Sequence, residues 1–481
     1  MRVVKNFLYN MSYQILVLIA PLITVPYVSR VLGAEGVGIN TFTNSIVQYF
    51  VLLGSIGITL YGSREIAYVQ TDIVERSKKF WEIEMLKGMT VFIAYLLYFG
   101  FLCFYGKFRL YLFYQSFLIV AAGVDISWFY MGIENFKRTV ARNTMVKIIG
   151  IMCVFIFVKN ESDIGLYILL LALIQLLGNL TLWPYLRNDV IWPGWNNLKL
   201  KRHLKPALQL FIPQIAIQVY WILNRTMLGQ IVSVQASGFF QYADQFIKMA
   251  LSIVTATGPV LLPRVSNAFS RKEYKKVYNY TEIGFEFVSM LAFPMAVGII
   301  AIANKFAPWF MGEEFNQVGS LMVLETPIII FIAWSGVIGQ QFLLPTKRVP
   351  EYTVSVTIGV IINVLLNIIL IYPFGTVGAM IATVVSEFSV TAYQLFRVRD
   401  ELNILRLVSG CWPYLVSSLI MYIPVSWLIN HFKMGIFSLL LSVSVGVLVY
   451  GILMILFRPP VYRLGLSMIR GHVQKRFEEK Q

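Results

Sequence analysis

Apolar residues run through this chain in stretches of roughly 20, the length of helix that crosses about 30 Å of hydrocarbon. They fall near residues 8–29, 38–61, 83–105, 110–131, 143–158, 164–186, 207–229, 236–262, 283–304, 318–344, 352–372, 376–396, 411–430 and 435–457. The pattern predicts an all-α, polytopic membrane protein with about 14 transmembrane helices. The stretch at 143–158 is the shortest and the weakest. The first stretch is too long for the apolar core of a secretory signal, and no small-residue cleavage site follows it, so no cleavable leader is expected. Connections are short. In the longest of them, Trp192, Pro193 and Trp195 predict a segment lying in the membrane interface.

Composition agrees. The 481 residues are 58% hydrophobic and 13% charged, with a mean hydropathy of +0.70, whereas soluble domains are about a quarter charged. Cys103, Cys153 and Cys411 sit in apolar runs without metal-ligand spacing and read as small core residues. The net charge of +16 would suggest nucleic acid in a soluble protein. With the N-terminus placed in the cytoplasm, however, 31 of the 40 Lys and Arg fall in inner segments, 6 in outer ones and 3 within spans. That asymmetry predicts an even number of spans with both termini cytoplasmic. It directs the charge to anionic inner-leaflet lipids and away from nucleic acid.

A weak internal repeat is visible. Lys5 and Leu8 match Lys201 and Leu204, and Arg30–Gly33 matches Arg225–Gly229. Gly38 and Gly238, Asn44 and Asp244, Gln48 and Lys248, and Arg64 and Arg264 are each 200 residues apart. Both copies would start on the inside, giving parallel halves such as alternating-access transporters use. The expected organisation is a six-helix half over 1–190, a second six-helix half over 191–400, and two further helices with a basic cytoplasmic tail over 401–481.

An ionisable side chain deep in a span costs on the order of 3 kcal/mol on insertion scales, so each must face a partner or a wet cavity. Arg30 and Arg225 occupy matching positions near the outer ends of the first span of each half. Either both snorkel to the headgroups, or they face one another across a cleft as a cationic cavity for an anionic substrate, since guanidinium matches phosphate oxygens bidentately. Asp244 and Lys248 are four residues apart on one helix. They either neutralise each other or line the cavity, with Lys248 on the substrate and Asp244 as a protonatable coupling group. Asp125 and Glu325 are further ion-coupling candidates. Glu387 is expected to be satisfied by Ser386 and Ser389 or by another helix, and Lys87 to snorkel or to pair with Glu84. Amides at helical spacing — Asn40, Asn44 and Gln48, then Gln209, Gln214, Gln218 and Asn224 — either bond helix to helix or line a lumen suited to sugar hydroxyls. Asn44, Gln48 and Gln218 join Arg30, Arg225 and Lys248 as candidate substrate-binding residues.

Catalytic and metal-binding residues are not expected. There is no P-loop, and His203, His431 and His472 stand isolated in loops and the tail. A membrane glycosyltransferase or polymerase would need a long outer loop with carboxylates, which the short loops disfavour. A multidrug antiporter would favour an acidic cavity.

Several stretches carry a family likeness: Arg30–Gly33 with Gly36 and Gly38, Tyr61–Glu65, Asp125–Glu134, Pro263–Arg264, and Asn363 and Asn367 followed by Tyr372–Gly375 and then Gly378 to Glu387. The chain resembles the polysaccharide-repeat flippases of bacterial capsule and O-antigen synthesis, in one superfamily with the lipid II flippase and the multidrug/toxic-compound extruders. The resemblance implies transport of undecaprenyl diphosphate bearing one oligosaccharide repeat unit across the bacterial cytoplasmic membrane. It implies no cofactor, a proton or sodium gradient as driving force, and a polysaccharide polymerase and chain-length regulator as partners. Arg30 matches the position of the family's cavity arginines on the first span; Arg225 matches through the repeat.

Overall fold

The computed structural model describes residues 2–195, 198–256 and 258–462, with side chains from residue 11 onward except those of 210, 212–217, 259 and 260. Gln214, His472 and the basic residues from Arg463 to Lys480 lie outside what is described. The described chain is all-helical: α1 (Arg2–Ser55), α2 (Ile58–Tyr68), α3 (Ile73–Phe104), α4 (Arg109–Gln115), α5 (Phe117–Gly123), α6 (Ser127–Gly132), α7 (Phe136–Phe157), α8 (Ile164–Leu180), α9 (Lys201–Ile231), α10 (Val234–Thr255), α11 (Gly258–Ser270), α12 (Tyr274–Met311), α13 (Asn316–Glu325), α14 (Ile328–Ser335), α15 (Val349–Val398), α16 (Ile404–Ser409), α17 (Trp412–His431) and α18 (Ile436–Phe457). A π-helical turn, Gly336–Leu343, follows α14. Among the described residues nine helices are long and apolar enough to cross a membrane, or ten if Glu313–Glu325 and Ile328–Leu343, bent by 44°, form one crossing. This is a multi-pass membrane protein. The weak stretch near 143–158 is the 22-residue α7, which starts earlier than its apolar run because Lys137, Arg138 and Arg142 occupy its first turns. Helix α10 falls outside the nine because its faces carry Gln235, Gln241, Asp244, Gln245 and Lys248.

Two helices are too long for one crossing, and both break at a glycine. α1 has 54 residues and departs from helical geometry at Gly33 (φ 65°, ψ −179°). α15 has 50 residues and breaks at Gly375 (φ 56°, ψ −128°). Only glycine adopts such angles without strain. In a straight helix residues 370 and 378 would stand about 12 Å apart. Here a Cβ on Gly378 would lie 2.1 Å from the Leu370 carbonyl oxygen, so the chain doubles back.

The chain divides into two compact units, Met1–Gly238 and Phe239–Gln481. In the first, α1 packs on α3, α5, α7 and α9. A buried apolar cluster joins Phe80 of α3 to Trp128, Phe129 and Tyr130 of α6, with Tyr61 and Ile66 of α2. Gly62 is required there, because a Cβ would meet the Trp128 ring at 2.4 Å. The α9 helix, which the repeat would assign to a second half, packs against α1, α2 and α3 and belongs to this unit. In the second unit α12 is central and carries α11, α13, α14 and α17. Trp334 stacks on Phe285 at 5.0 Å and its indole N–H donates to Ser289 at 2.8 Å. Of the cysteines, Cys411 is buried as expected, but Cys103 is exposed on α3, where apolar surface faces lipid rather than a protein core.

Candidate functional site

The second arm of α1 presents Asn40, Thr43, Asn44 and Gln48 at helical spacing, with Ser45 and Tyr49 beside them. Asn40, Asn44 and Gln48 are half-buried. An amide removed from water must be bonded, and the partner is Gln115 at the end of α4, 2% exposed. Asn44 Nδ2 donates to Gln115 Oε1 at 3.3 Å, and Gln115 Nε2 donates to Asn40 Oδ1 at 3.2 Å. On the neighbouring face Thr226 of α9 donates to Ser45 Oγ at 3.0 Å and lies 3.3 Å from the Tyr49 hydroxyl. The result is a polar seam between α1, α4 and α9 within one unit. Sequence reasoning missed Gln115. Its signal was there, since it is the one amide in the mostly apolar run from Leu110 to Val124.

Arg225 precedes Thr226 and is half-buried, next to Asn224, which is 2% exposed. Gln218 is exposed and lies seven residues earlier, two turns along the same face of α9. Arg30 is exposed at the end of the first arm of α1, three residues before the Gly33 break. That arm is held by the Tyr27 hydroxyl, which donates to the Val158 carbonyl at 2.7 Å.

Asp244 and Lys248 of α10, in the second unit, form an ion pair at 2.7 Å with Asp244 buried. The ammonium of Lys248 therefore already has a counter-ion. Glu325 is fully buried at the end of α13, next to the bend at Thr326–Pro327. The hydroxyls of Ser386 and Ser389 donate to the carbonyls of Ala382 and Val385. Each has a single proton, so neither also donates to Glu387, which leaves another helix as the remaining expectation for that carboxylate.

Asp125 sits elsewhere, in a network among α3, α6, α7 and α8. Lys87, 3% exposed, pairs with Glu84 at 2.7 Å and donates to the Asp125 carbonyl at 2.8 Å rather than snorkelling. Trp128 Nε1 donates to Glu84 at 3.3 Å. Arg142, 7% exposed, reaches the Asp125 carboxylate at 3.2 Å and donates to Asn179 Oδ1. A second network lies where α9 begins. Fully buried Glu82 of α3 accepts from Lys199 N at 2.6 Å and Arg202 Nε at 3.0 Å, and from His203 Nε2 at 2.7 Å. A carboxylate accepts only, so His203 Nε2 carries the proton and Nδ1 accepts from the Tyr61 hydroxyl at 2.7 Å. Far from isolated, His203 is 2% exposed. Its burial pushes the imidazole below the ordinary histidine range, against the opposite pull of Glu82.

Two of the blocks that carry the family likeness in the first unit, Tyr61–Glu65 and Asp125–Glu134, pack on each other. Beyond the Gly62–Trp128 contact, Ser63 Oγ donates to the Trp128 carbonyl at 3.1 Å, and a Cβ on Gly132 would stand 2.7 Å from Ile66 Cβ. In the second unit Asn363 and Asn367 are fully buried one turn apart, Asn367 Nδ2 donating to Asn363 Oδ1 at 2.7 Å. Residues 3–269 match the family described as polysaccharide biosynthesis protein, more than half of the chain. The chain belongs to that family. A protein of this kind from Escherichia coli (strain K12), named "Putative O-antigen transporter", is 22% identical over 406 residues, covering 82% of this chain and 97% of its own. One of the same name from Shigella flexneri is 24% identical over 365 residues, 69% of this chain and 82% of its own. Among solved structures, lipid II flippase MurJ in an inward closed conformation superposes with a TM-score of 0.76 at 15% identity, over 95% of this chain and 99% of MurJ. An inward-facing multidrug resistance MATE family transporter of the MOP superfamily gives 0.62 at 12% identity, over 81% of this chain and 96% of its own. At such identities these likenesses give the fold that the family member shares with them.

Proposed function

We propose that this protein is a flippase that moves an undecaprenyl-diphosphate-linked oligosaccharide repeat unit across the bacterial cytoplasmic membrane, for capsule or O-antigen type polysaccharide. The observation that carries the proposal is the polar seam of α1, α4 and α9, which holds amides and hydroxyls beside Arg225 in a multi-pass membrane protein. A diphosphate brings about two negative charges, and burying them unpaired would be prohibitive. Arg225, with Arg30 at the end of the first arm, supplies guanidinium groups for that headgroup. Asn44, Gln48 and Gln218 supply hydrogen bonds for the sugar, and Lys248, partly offset by Asp244, is a further substrate-binding candidate on the second unit. Membership of the polysaccharide biosynthesis family and the fold shared with a lipid II flippase support this choice over a multidrug antiporter, and over a membrane glycosyltransferase or polymerase. We read the chain as a transporter and not as an enzyme.

Counting α1 and α15 as two crossings each, α4 to α6 as one, α10 with α11 as one, α13, α14 and the π turn as one, and α3, α7, α8, α9, α12, α17 and α18 singly gives 14. An even count fits both termini in the cytoplasm, with residues 1–190 and 191–400 as repeat halves, 401–481 appended, and the basic inner loops on anionic lipid. Transport then runs by alternating access on a proton or sodium gradient, with Asp244, Asp125 and Glu325 as coupling candidates. A polymerase and a chain-length regulator act on the product. The test is deletion of the gene in the producing bacterium. Surface polysaccharide should disappear and lipid-linked repeat units accumulate inside. Unchanged surface polymer without such accumulation, or a change confined to drug susceptibility, overturns the proposal.

A further inference from the structure

We propose that Gln115 is a positioning residue that fixes which way round Asn40 and Asn44 offer their amides to a sugar. The inference rests on reading the seam as the path of a sugar-bearing headgroup. The orientation is locked by Thr43. Its hydroxyl proton is committed to the Ile39 carbonyl at 2.7 Å, so towards Gln115, 3.5 Å away, its oxygen can only accept. The NH2 end of the buried Gln115 side chain must therefore face Thr43 and, beside it, Asn40 Oδ1 at 3.2 Å. The carbonyl end is left to accept from Asn44 Nδ2 at 3.3 Å. With those groups engaged, Asn40 keeps its NH2 and Asn44 its carbonyl on the accessible side, one helical turn apart. Both residues are half-buried rather than enclosed. A hydroxyl-rich ligand accepts from the first and donates to the second. Without Gln115, Asn40 and Asn44 are free to bond each other at i,i+4 spacing and to withdraw both groups.

The experiment uses the full chain in lipid nanodiscs and two probes: undecaprenyl diphosphate carrying the repeat unit extracted from the producing bacterium, and bare undecaprenyl diphosphate. Gln115→Met keeps the length of the side chain and removes its polar ends. It should weaken binding of the sugar-bearing lipid roughly tenfold, the loss of one or two hydrogen bonds, and leave the bare lipid unaffected. Added to an Asn40→Ala/Asn44→Ala background it should cost nothing further, because it acts through those two residues. Equal loss on both lipids, no loss on either, or a further loss in the triple variant overturns the assignment. If Arg225→Ala still weakens the bare lipid in that event, only the role of Gln115 has failed. If the unaltered protein binds neither lipid, the flippase reading itself has failed.

Discussion

Gly38 and Gly238, 200 residues apart in the chain, cross backbone to backbone: a Cβ on Gly238 would lie 3.1 Å from both the Cα and the N of Gly38. The approach is closer still from the other side, where a Cβ on Gly38 would lie 2.3 Å from the Val234 carbonyl oxygen. This crossing lies within the first unit, at the very start of α10, and Val37 Cγ1 stands 3.3 Å from the same Cβ position on Gly238.

Gly38→Ala should therefore destabilise, although alanine in a helix interior normally gains up to about 1 kcal/mol over glycine. The obstacle is backbone and cannot rotate away, so overpacking by about 1–3 kcal/mol is expected. A lowered thermal midpoint of the purified protein, with less of it in the membrane, is the readout. Gly88→Ala, where a Cβ meets nothing within 4 Å, serves as the control.

Arg225→Ala should reduce polysaccharide export by roughly ten- to a hundredfold, the worth of charge-assisted hydrogen bonds of about 1.5–3 kcal/mol. The protein should still reach the membrane. Arg225→Lys should restore only part, because an ammonium cannot make the bidentate contact. Arg30→Ala should follow the same pattern. Export measured as surface polymer per cell, normalised to protein in the membrane, decides; normal export in the double Ala variant excludes the arginines from transport.

Lys87→Met should destabilise the fold more than Gly38→Ala does. It strands Glu84, whose side chain is 7% exposed, and lone buried charges cost about 3–5 kcal/mol. Removing both charges in Glu84→Leu/Lys87→Met should recover most of that loss. Thermal midpoints of the unaltered, single-variant and double-variant proteins test it, and equal damage in the single and double variants would contradict the pairing.

The His203 network gives a pH dependence with a definite sign. A histidine held below its usual pKa stays neutral in the folded protein, while the unfolded chain takes up a proton near pH 6.5. Its contribution is complete above about pH 6.5 and is lost as the pH falls towards the lowered value. Gln at this position still donates to Glu82 and accepts from Tyr61 but does not titrate. The difference in thermal midpoint between the unaltered protein and His203→Gln should shift against the unaltered protein from about pH 7.5 to about pH 5.5, on either side of the ordinary histidine value. A constant difference would show that His203 does not titrate differently on folding.

Local relationships were legible in the sequence. The breaks of α1 and α15 lie at Gly33 and Gly375, between apolar stretches that the chain alone delimits. The Asp244–Lys248 and Glu84–Lys87 pairs follow from spacings of four and three residues on one helix. What stayed hidden is long-range. Gln115 meets Asn44 across 71 residues and Glu82 meets His203 across 121, separations over which periodicity says nothing. Arg142 illustrates a different blindness: counted as one more basic residue of an inner loop, it is buried in α7 with one hand on Asp125 and the other on Asn179. The rule that sorts lysine and arginine by side of the membrane does not separate those that face lipid headgroups from those that tie helices together.

At Gly33 the chain kinks and at Gly375 it doubles back inside continuous helical segments, both glycines being half-buried. These connections have almost no slack. A protease finds no extended strand to grip there, and an epitope tag spliced in would have to pry two helices apart. Mapping the topology with reporters is better done in the segments around Asn160 and Lys433, where the chain is exposed between helices.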